Sequence, residues 1–440
     1  MPTKTYKPVI ISLILLSTLP FLTLFKGFDF GLYSSDSQLF YLKFSLSLGN
    51  ILGFIGSVLL FWELILGIRF LANLLTPDLP WLTKVHSWLG KYGTVLILAH
   101  PILEMYAYLQ NWTWIFIPDI STNLDTRITF GRIAFILILI IYITSIFIRG
   151  LIKYRPWKYV HYLSYPLMFL VFVHALQLGS FLNEYVALKA FWLTMLALYF
   201  ILLVIRLTDF SGILKPRYKL INKYNQTSDL VILVFRPINK VLKPKPGQYF
   251  YLQIDNFSES HPFSLMEYNA ETGDLMFGIK TLGKYTKKLN ELPLFSEIKI
   301  EGAYGVFTME AQNKLPKVII AGGIGVTPFI ELVKYYADEN TIFLHANRFS
   351  SEIIAQTALQ GILSDRYYDF ISQNSEPPNH TNQVNSRIKP EHISTILGTE
   401  NLEYYNYFIC GSPVFIEGIQ KILHNLHIPK HKIHIEGFTF

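Results

Sequence analysis

Six stretches of the chain, residues 9–25, 44–68, 85–108, 128–148, 159–178 and 185–205, are apolar with few interruptions. Each is near the ~20 residues a helix needs to cross a bilayer, and they predict six membrane-spanning helices. From Lys215 the pattern shortens to β-like runs punctuated by Gly and Pro. Residues 230–237, 248–254 and 275–281 predict strands, with Lys243-Pro244-Lys245-Pro246-Gly247 as a turn, and a β-rich barrel fits this region. From Lys317 strands alternate with helices. Residues 318–321, 341–346 and 407–410 read as strands, and 327–336 and 414–426 as helices, the pattern of a nucleotide-binding sheet. The polar segment from Ser372 to His380, with Pro377-Pro378, reads as a surface loop without assigned chemistry.

Charge follows the same division. Only 24 of the 69 charged residues fall within the first 210, although charged residues make up 16% of the chain, below the roughly 25% of ordinary globular proteins. The first half therefore reads as membrane and the second as soluble. Lys4 and Lys7 precede the first span in the manner of a secretory signal, but no small-x-small cleavage site follows it, and the span is expected to be retained. Lys4, Lys7, Arg69, Lys84, Arg149, Lys153, Arg155, Lys158, Arg206, Lys215, Arg217 and Lys219 fall on one side of the predicted bundle. Lys26, Lys43, Arg127, Arg132 and Lys189 fall on the other. The richer side is expected to be cytoplasmic, which places the N-terminus and the soluble half inside. The net charge of +7 is not a nucleic-acid footprint, because many of the basic residues flank apolar segments, and no nucleic-acid partner is expected. The single cysteine, Cys410, excludes an internal disulfide, a four-thiolate iron–sulfur cluster and a covalently attached haem. Any redox centre must be held by other side chains.

Histidine is costly in a bilayer and tends to mark function there. The third span carries His86 and His100, the fifth His161 and His174. Both helices start on the same side, so His86 and His161 share an inner level. At ~1.5 Å rise per residue, His100 and His174 lie about 20 Å further out. Two pairs at two matched depths suit two stacked haems of b type, each with two axial imidazoles, although histidines hydrogen-bonded across helices would look alike. Azimuth is the difficulty. At ~100° per residue, the spacing from His86 to His100 returns to within ~40° of the starting face, whereas that from His161 to His174 ends ~140° away. The fifth helix must be distorted, or the haems approached from different directions, and Pro166 between the two histidines is a candidate kink. Glu63 and Lys91 near the inner ends of their spans suggest a buried structural pair.

Three motifs in the soluble half carry chemistry. His261-Pro262-Phe263-Ser264 offers an aromatic ring and a hydroxyl of the kind an isoalloxazine needs. Lys280-Thr281-Leu282-Gly283-Lys284-Tyr285-Thr286 leads into a helix and suits a phosphate, although its lysines equally make a solvated face. Ala321-Gly322-Gly323-Ile324-Gly325-Val326-Thr327-Pro328-Phe329 joins a buried strand to a helix, as a dinucleotide pyrophosphate site does, or as a tight turn needing small residues would.

In this order the motifs resemble the ferredoxin-reductase-type flavoprotein module. With the spans and histidine pairs, the chain resembles the ferric reductase and NADPH oxidase superfamily from the second span to Phe440. The resemblance implies a six-helix haem-binding membrane bundle (1–210), an FAD-binding β-barrel domain (211–315) and an NAD(P)H-binding α/β domain (316–440). It implies flavin contacts at Phe263 and Ser264, with Lys280, Gly283 and Thr286 near the flavin phosphates and Gly323 and Gly325 beside the dinucleotide. Cys410-Gly411-Ser412-Pro413 resembles the turn beside the nicotinamide, and Phe440 ends an aromatic segment that would cover the flavin. Arg348, with Ser350 or Ser351, would meet a 2′-phosphate, favouring NADPH slightly over NADH. No catalytic residue is assigned.

The expected activity is electron transfer from cytoplasmic NAD(P)H through FAD and two haems to an outer-face acceptor. Oxygen reduction to superoxide is the first expectation and ferric or cupric reduction the second, with delivery to an extracytoplasmic protein third. A channel or structural membrane protein carrying a nonfunctional reductase module is the alternative of another class. The sequence departs from its relatives at one informative place. Eukaryotic oxidases of this superfamily carry a histidine four residues after the outer ligand of the third span, where this chain has Glu104. A carboxylate there opposes superoxide and favours a metal cation, unless it pairs with Arg127 or Arg132.

Overall fold

The computed structural model describes residues 2–24, 28, 30–33, 36–179, 182, 184–373, 377–378 and 380–437. The chain divides into two compact units, Met1–Leu207 and Thr208–Phe440.

In the first unit, helix α1 (Pro2–Leu16) is followed by α2 (Ser37–Leu66), which starts where the Asp36 carboxylate accepts the Gln38 and Leu39 amides. Helix α3 (Leu79–Trp88) runs through a π-helical segment, Leu89–Gly93, into α4 (Thr94–Ala107). Then come α5 (Asn123–Tyr142), α6 (Tyr154–His161), α7 (Ser164–Leu178) and α8 (Val186–Ser211). Among the described residues four helices are long and apolar enough to cross a membrane: Ser37–Leu66, Asn123–Phe147, Tyr154–Leu178 and Val186–Ser211. The expectation of six is thus met in part. The first stretch forms a shorter apolar helix, Tyr6–Leu22, and its expected end at Phe25 lies outside the described residues. The third is helical throughout, but Lys91, His100 and Glu104 dilute its apolar character. Helices α2 and α4 approach closely because α2 presents glycines to α4, and a Cβ at Gly56 would lie 2.9 Å from Ile97. An aromatic core fixes the rest. Phe21 stacks on Phe54 at 4.9 Å, and Trp192 packs edge-on against both Phe54 and Phe172 at 5.3 Å.

The second unit opens with a seven-stranded antiparallel sheet in the order β4-β3-β7-β1-β2-β6-β5. Its strands are β1 (Arg217–Asn225), β2 (Leu230–Pro237), β3 (Tyr249–Gln253), β4 (Ser260–Ser264), β5 (Glu267–Tyr268), β6 (Leu275–Lys280) and β7 (Glu297–Tyr304). Alternate residues such as Leu220, Leu233, Phe250, Phe277 and Ile300 bury into one core. The sheet wraps that core without closing, which corrects the expected barrel. Pro262 in the middle of β4 has no N–H to offer a further strand, and β5 is only two residues long. Helix α9 (Lys284–Asn290) follows β6.

A parallel sheet comes next, in the order β11-β10-β9-β8-β12-β13. It contains β8 (Lys317–Gly322), β9 (Thr341–Asn347), β10 (Tyr367–Ile371), β11 (Gln383–Val384), β12 (Asn406–Gly411) and β13 (Ile433–Gly437). Helix α10 (Thr327–Tyr336) returns from β8 and α11 (Pro413–Asn425) from β12. Both faces are apolar, as a sheet covered by helices requires. The two sheets are joined by the Glu331 carboxylate of α10, which accepts the Tyr268 amide of β5 at 2.7 Å.

Candidate redox site

The membrane unit brings its histidines together by irregular helices. The rings of His86 and His161 lie 6.0 Å apart, and Trp157 stacks on His161 at 5.0 Å. His174 is near enough to His100 to interact with it electrostatically. The azimuth mismatch is answered in two places. Between His86 and His100 lies the π-helical segment, which underwinds the helix. Just after His161 the helix breaks at Tyr162–Leu163, where Leu163 N–H bonds back to the Val160 carbonyl and Tyr165 N–H to the Tyr162 carbonyl. Those tighter turns overwind the chain, so the two distortions reduce the mismatch from opposite sides. Pro166 stands in the first turn of α7, just beyond the break, and lacks the N–H that would have continued the helix across it.

Outer-shell bonds orient the imidazoles. His100 Nδ1–H donates to the Gly49 carbonyl at 2.9 Å and His174 Nδ1–H to the Arg127 carbonyl at 3.1 Å. His161 Nδ1 lies 3.4 Å from Ser145 Oγ, which also accepts Trp157 Nε1–H. Nδ1 bonding of this kind leaves Nε2 for a metal, as ligating histidines do, so the donor set fits a haem iron. Space is made by glycines. A Cβ at Gly53 would lie 3.0 Å from His100 Nδ1, and one at Gly131 would lie 2.5 Å from His174 Cε1.

The expected pair of Glu63 with Lys91 does not form, and of the two alternatives for Glu104 the structure favours the one beside His100. Lys91 lies over the Tyr92 ring at 5.2 Å, and Glu63 Oε1 is buried without a hydrogen-bond partner, so the two do not form an ion pair. Glu104 pairs with neither outer arginine. Arg132 donates to the Trp114 carbonyl, and Arg127 to that of Gln177. Instead Glu104 Oε1, also without a hydrogen-bond partner, lies 3.8 Å from His100 Nδ1.

In the second unit, His261, Pro262, Phe263 and Ser264 lie in the edge strand β4. His261 stacks on Tyr285 of α9 at 3.9 Å, and Phe263 stacks on the same ring at 6.3 Å. This aromatic stack stands at the open edge of the sheet, with Pro262 exposed and Ser264 buried. Lys280 is bound by two carboxylates, Asp229 at 3.4 Å and Glu352 at 3.3 Å. The amides of Leu282 and Gly283 both donate to Thr286 Oγ1 at 3.0 Å. Thr286 thus caps the loop, and open space surrounds Gly283.

The glycine turn divides its labour. Gly323 has φ +54° with nothing near its Cα substituent position, a conformation and an openness that suit an approaching ligand. A Cβ at Gly325 would collide with the backbone of Cys410 and Gly411, and one at Gly322 with the Phe415 ring at 2.6 Å. Gly325 therefore locks the turn to the end of β12, bringing the Ala321–Phe329 and Cys410–Gly411 motifs together. Thr327 is buried and its hydroxyl donates to the Ile324 carbonyl. Cys410 is fully buried, and burial, reinforced by Glu436, raises its thiol well above the ordinary range. Arg348 lies exposed just past β9, and Ser350, two residues further on, is half-buried. Phe440 lies outside the described residues. Sequence reading missed Gly53, Gly131 and Tyr285. Gly49-x-x-x-Gly53 was a visible sign of close helix packing, whereas Tyr285 carried no signal of its own.

Residues 39–172 match the family described as ferric reductase like transmembrane component, 216–327 the FAD-binding domain and 319–421 the oxidoreductase NAD-binding domain. The reductase component of propane 2-monooxygenase from Rhodococcus jostii is 24% identical over 48% of this chain and 60% of its own length. Ferric reductase transmembrane component 5 of Saccharomyces cerevisiae is 29% identical over 56% of this chain and 36% of its own length. NADPH oxidase 4 of Rattus norvegicus is 30% identical over 27% of this chain and 24% of its own length. The chain thus spans less than two thirds of each of these relatives.

Proposed function

We propose that the chain is a member of the ferric reductase and NADPH oxidase superfamily, a reading supported by its three consecutive family matches, and that it moves electrons from cytoplasmic NAD(P)H across the membrane to an outer-face acceptor. The observation that carries this reading is the pairing of four intramembrane histidines, three of them with Nδ1 beside a main-chain carbonyl or a serine hydroxyl. His86 with His161, and His100 with His174, would hold two b-type haems within a six-span bundle. Phe263 and Ser264 would hold the flavin ring at the sheet edge, and the Gly322–Val326 turn the dinucleotide. When bound, FAD accepts the hydride of NAD(P)H as two electrons and haem carries electrons singly, which is why both are needed.

The chain's own residues position these groups. Gly49 and Arg127 orient the outer imidazoles through their carbonyls, and Ser145 and Trp157 orient His161. His261 and Tyr285 brace Phe263 from behind. Lys280, neutralised by Asp229 and Glu352, would act on flavin phosphates only by exchanging those partners. Arg348 would meet a 2′-phosphate.

For the acceptor we take oxygen, because a small neutral molecule reacts at an exposed haem edge without a dedicated site. Ferric reduction is the second reading, favoured by Glu104 beside His100. NADPH consumption measured in air, under argon and under argon with a ferric chelate, with dismutase-sensitive cytochrome c reduction in parallel, separates them. Oxygen-dependent consumption with a dismutase-sensitive signal is expected. Turnover that needs the chelate and gives no such signal in air would overturn the oxidase reading, and weakening of the ferric reaction alone by Glu104→Gln would put the metal reading in its place.

A further inference from the structure

Beyond α5 the chain passes through a π-helical segment, Ile143–Phe147, and a 3-10 turn, Arg149–Leu151, before α6 begins at Tyr154. On α6, Trp157 and His161 are four residues apart, so their side chains are neighbours on one face. Their rings stack at 5.0 Å with 28° between the planes. The irregular segment before α6 delivers two further groups to the same indole. Ser145 Oγ accepts Trp157 Nε1–H at 3.2 Å and fixes the ring. Arg149 places its guanidinium carbon 4.3 Å from the ring centre, a close cation–π contact. The guanidinium is itself held, since Nη1 donates to the Ile152 carbonyl at 3.2 Å and the Tyr154 ring lies 5.9 Å away.

This cation differs from the others at the same end of the bundle. A guanidinium is permanently charged, and among the described residues no carboxylate pairs with Arg149. Its charge therefore stands uncompensated within about 9 Å of the His161 ring, the reach of the two stacking distances laid end to end. Lys153 and Arg155 are exposed, where water and salt screen them. Lys158 and Arg206 lie over the Tyr162 ring at 5.8 and 5.5 Å, and among the described residues that ring stacks on none of the four paired histidines. The hydrogen bond of His161 opposes the charge only weakly. A strong acceptor at Nδ1–H makes an imidazole more electron-donating and favours an oxidised metal. His100 and His174 have main-chain carbonyls there at 2.9 and 3.1 Å, whereas His161 has a serine hydroxyl at 3.4 Å.

We propose that Arg149, held against Trp157, is a positioning residue that raises the reduction potential of the haem bound through His161. Such a haem carries one more positive charge oxidised than reduced, so a fixed cation beside its ligand favours the reduced form. At about 10 Å and an effective dielectric near ~20, a unit charge favours reduction about tenfold, which is about 60 mV for one electron. The electron comes from NAD(P)H by way of the flavin, and no bond is made or broken. The proposal rests on the reading of His86 and His161 as haem ligands.

The test is an anaerobic potentiometric titration of the full-length, haem-replete protein in detergent, followed at the haem α band and fitted with two components. Arg149→Gln removes the charge and keeps a polar side chain. One component should fall by about 60 mV, a tenfold loss in the equilibrium constant for reduction, while the other stays in place and haem and FAD contents are unchanged. The same fall should appear in the His100→Ala background, where the inner haem stands alone. Arg149→Lys, which keeps the charge, should recover most of the midpoint, and Lys153→Gln, which removes an exposed cation, should leave both components unmoved. Trp157→Phe keeps an aromatic platform and should hold the midpoint, whereas Trp157→Leu should lower it. Unmoved midpoints in haem-replete Arg149→Gln, or a fall in Lys153→Gln or Arg149→Lys equal to that in Arg149→Gln, overturns the proposal. If Arg149→Gln does not retain haem, an unmoved midpoint in Trp157→Leu overturns it. Absence of haem bands from the unaltered protein removes the haem reading itself, and the proposal with it.

Discussion

Gly53 and Gly131 stand against the rings of His100 and His174, where any Cβ would meet the imidazoles at 3.0 and 2.5 Å. A real Cβ does not approach so closely, so Gly131→Ala must move either α5 or the His174 ring, with an overpacking cost of about 1–3 kcal/mol. If His174 is an axial ligand, the purified Gly131→Ala protein should lose about half its haem by pyridine haemochrome assay while keeping its FAD, since a ligand moved by even a fraction of an ångström no longer meets the iron in the required geometry. Full haem content in that variant would remove His174 from the ligand set. The histidines themselves were legible in the sequence because a polar residue inside an apolar run is conspicuous. Their glycine neighbours were not, because glycine is common in membrane helices and only the packed partner gives one its role.

At the scale of elements, the β8–α10 turn is held by contacts of unequal stiffness. Gly325 abuts the backbone of Cys410 and Gly411, which cannot yield, whereas Gly322 abuts the Phe415 side chain, which can rotate. Gly325→Ala should therefore lower the thermal midpoint of the second unit and weaken nucleotide binding clearly more than Gly322→Ala, by roughly 1–3 kcal/mol of stability against less than about 1 kcal/mol. Equal effects of the two substitutions, measured by differential scanning and nucleotide titration, would contradict this. Strands β2, β3, β6, β8, β9 and β12 were legible from their apolar runs, and α10 was legible to its ends. Strands β1 and β7 mix charged with apolar residues, β10 is short, and none announces itself before its partners are known. The barrel was read from the succession of short β-like runs and from the family resemblance, neither of which shows whether the end strands meet, whereas Pro262 in β4 marks an edge only once that segment is known to be a strand. Cross-strand facts were beyond sequence reading altogether. The alignment of Ala321, His345 and Asp369 across β8, β9 and β10 depends on parallel register, and the capture of Lys280 by Asp229 and Glu352 joins residues far apart along the chain.

At the scale of the whole molecule, a first unit of paired histidines, matched by the ferric reductase like transmembrane component, and a second unit, matched by FAD-binding and NAD-binding domains, follow one another in a single chain. Neither alone accounts for the activity proposed. A hydride donor docked on the second unit would have no use for intramembrane imidazoles, and haems held by those imidazoles would have no electron source without the flavin module. The claim that the two work in series is tested most directly by the absorbance of the purified, FAD-replete protein under argon before and after NADPH is added. The account predicts the α and β bands of reduced, low-spin b-type haem at two haems per chain, with the yield reduced to about half in His100→Ala while the flavin is still bleached by NADPH. Flavin bleaching in the unaltered protein with no change in the haem bands, or no haem bands at all, would contradict it.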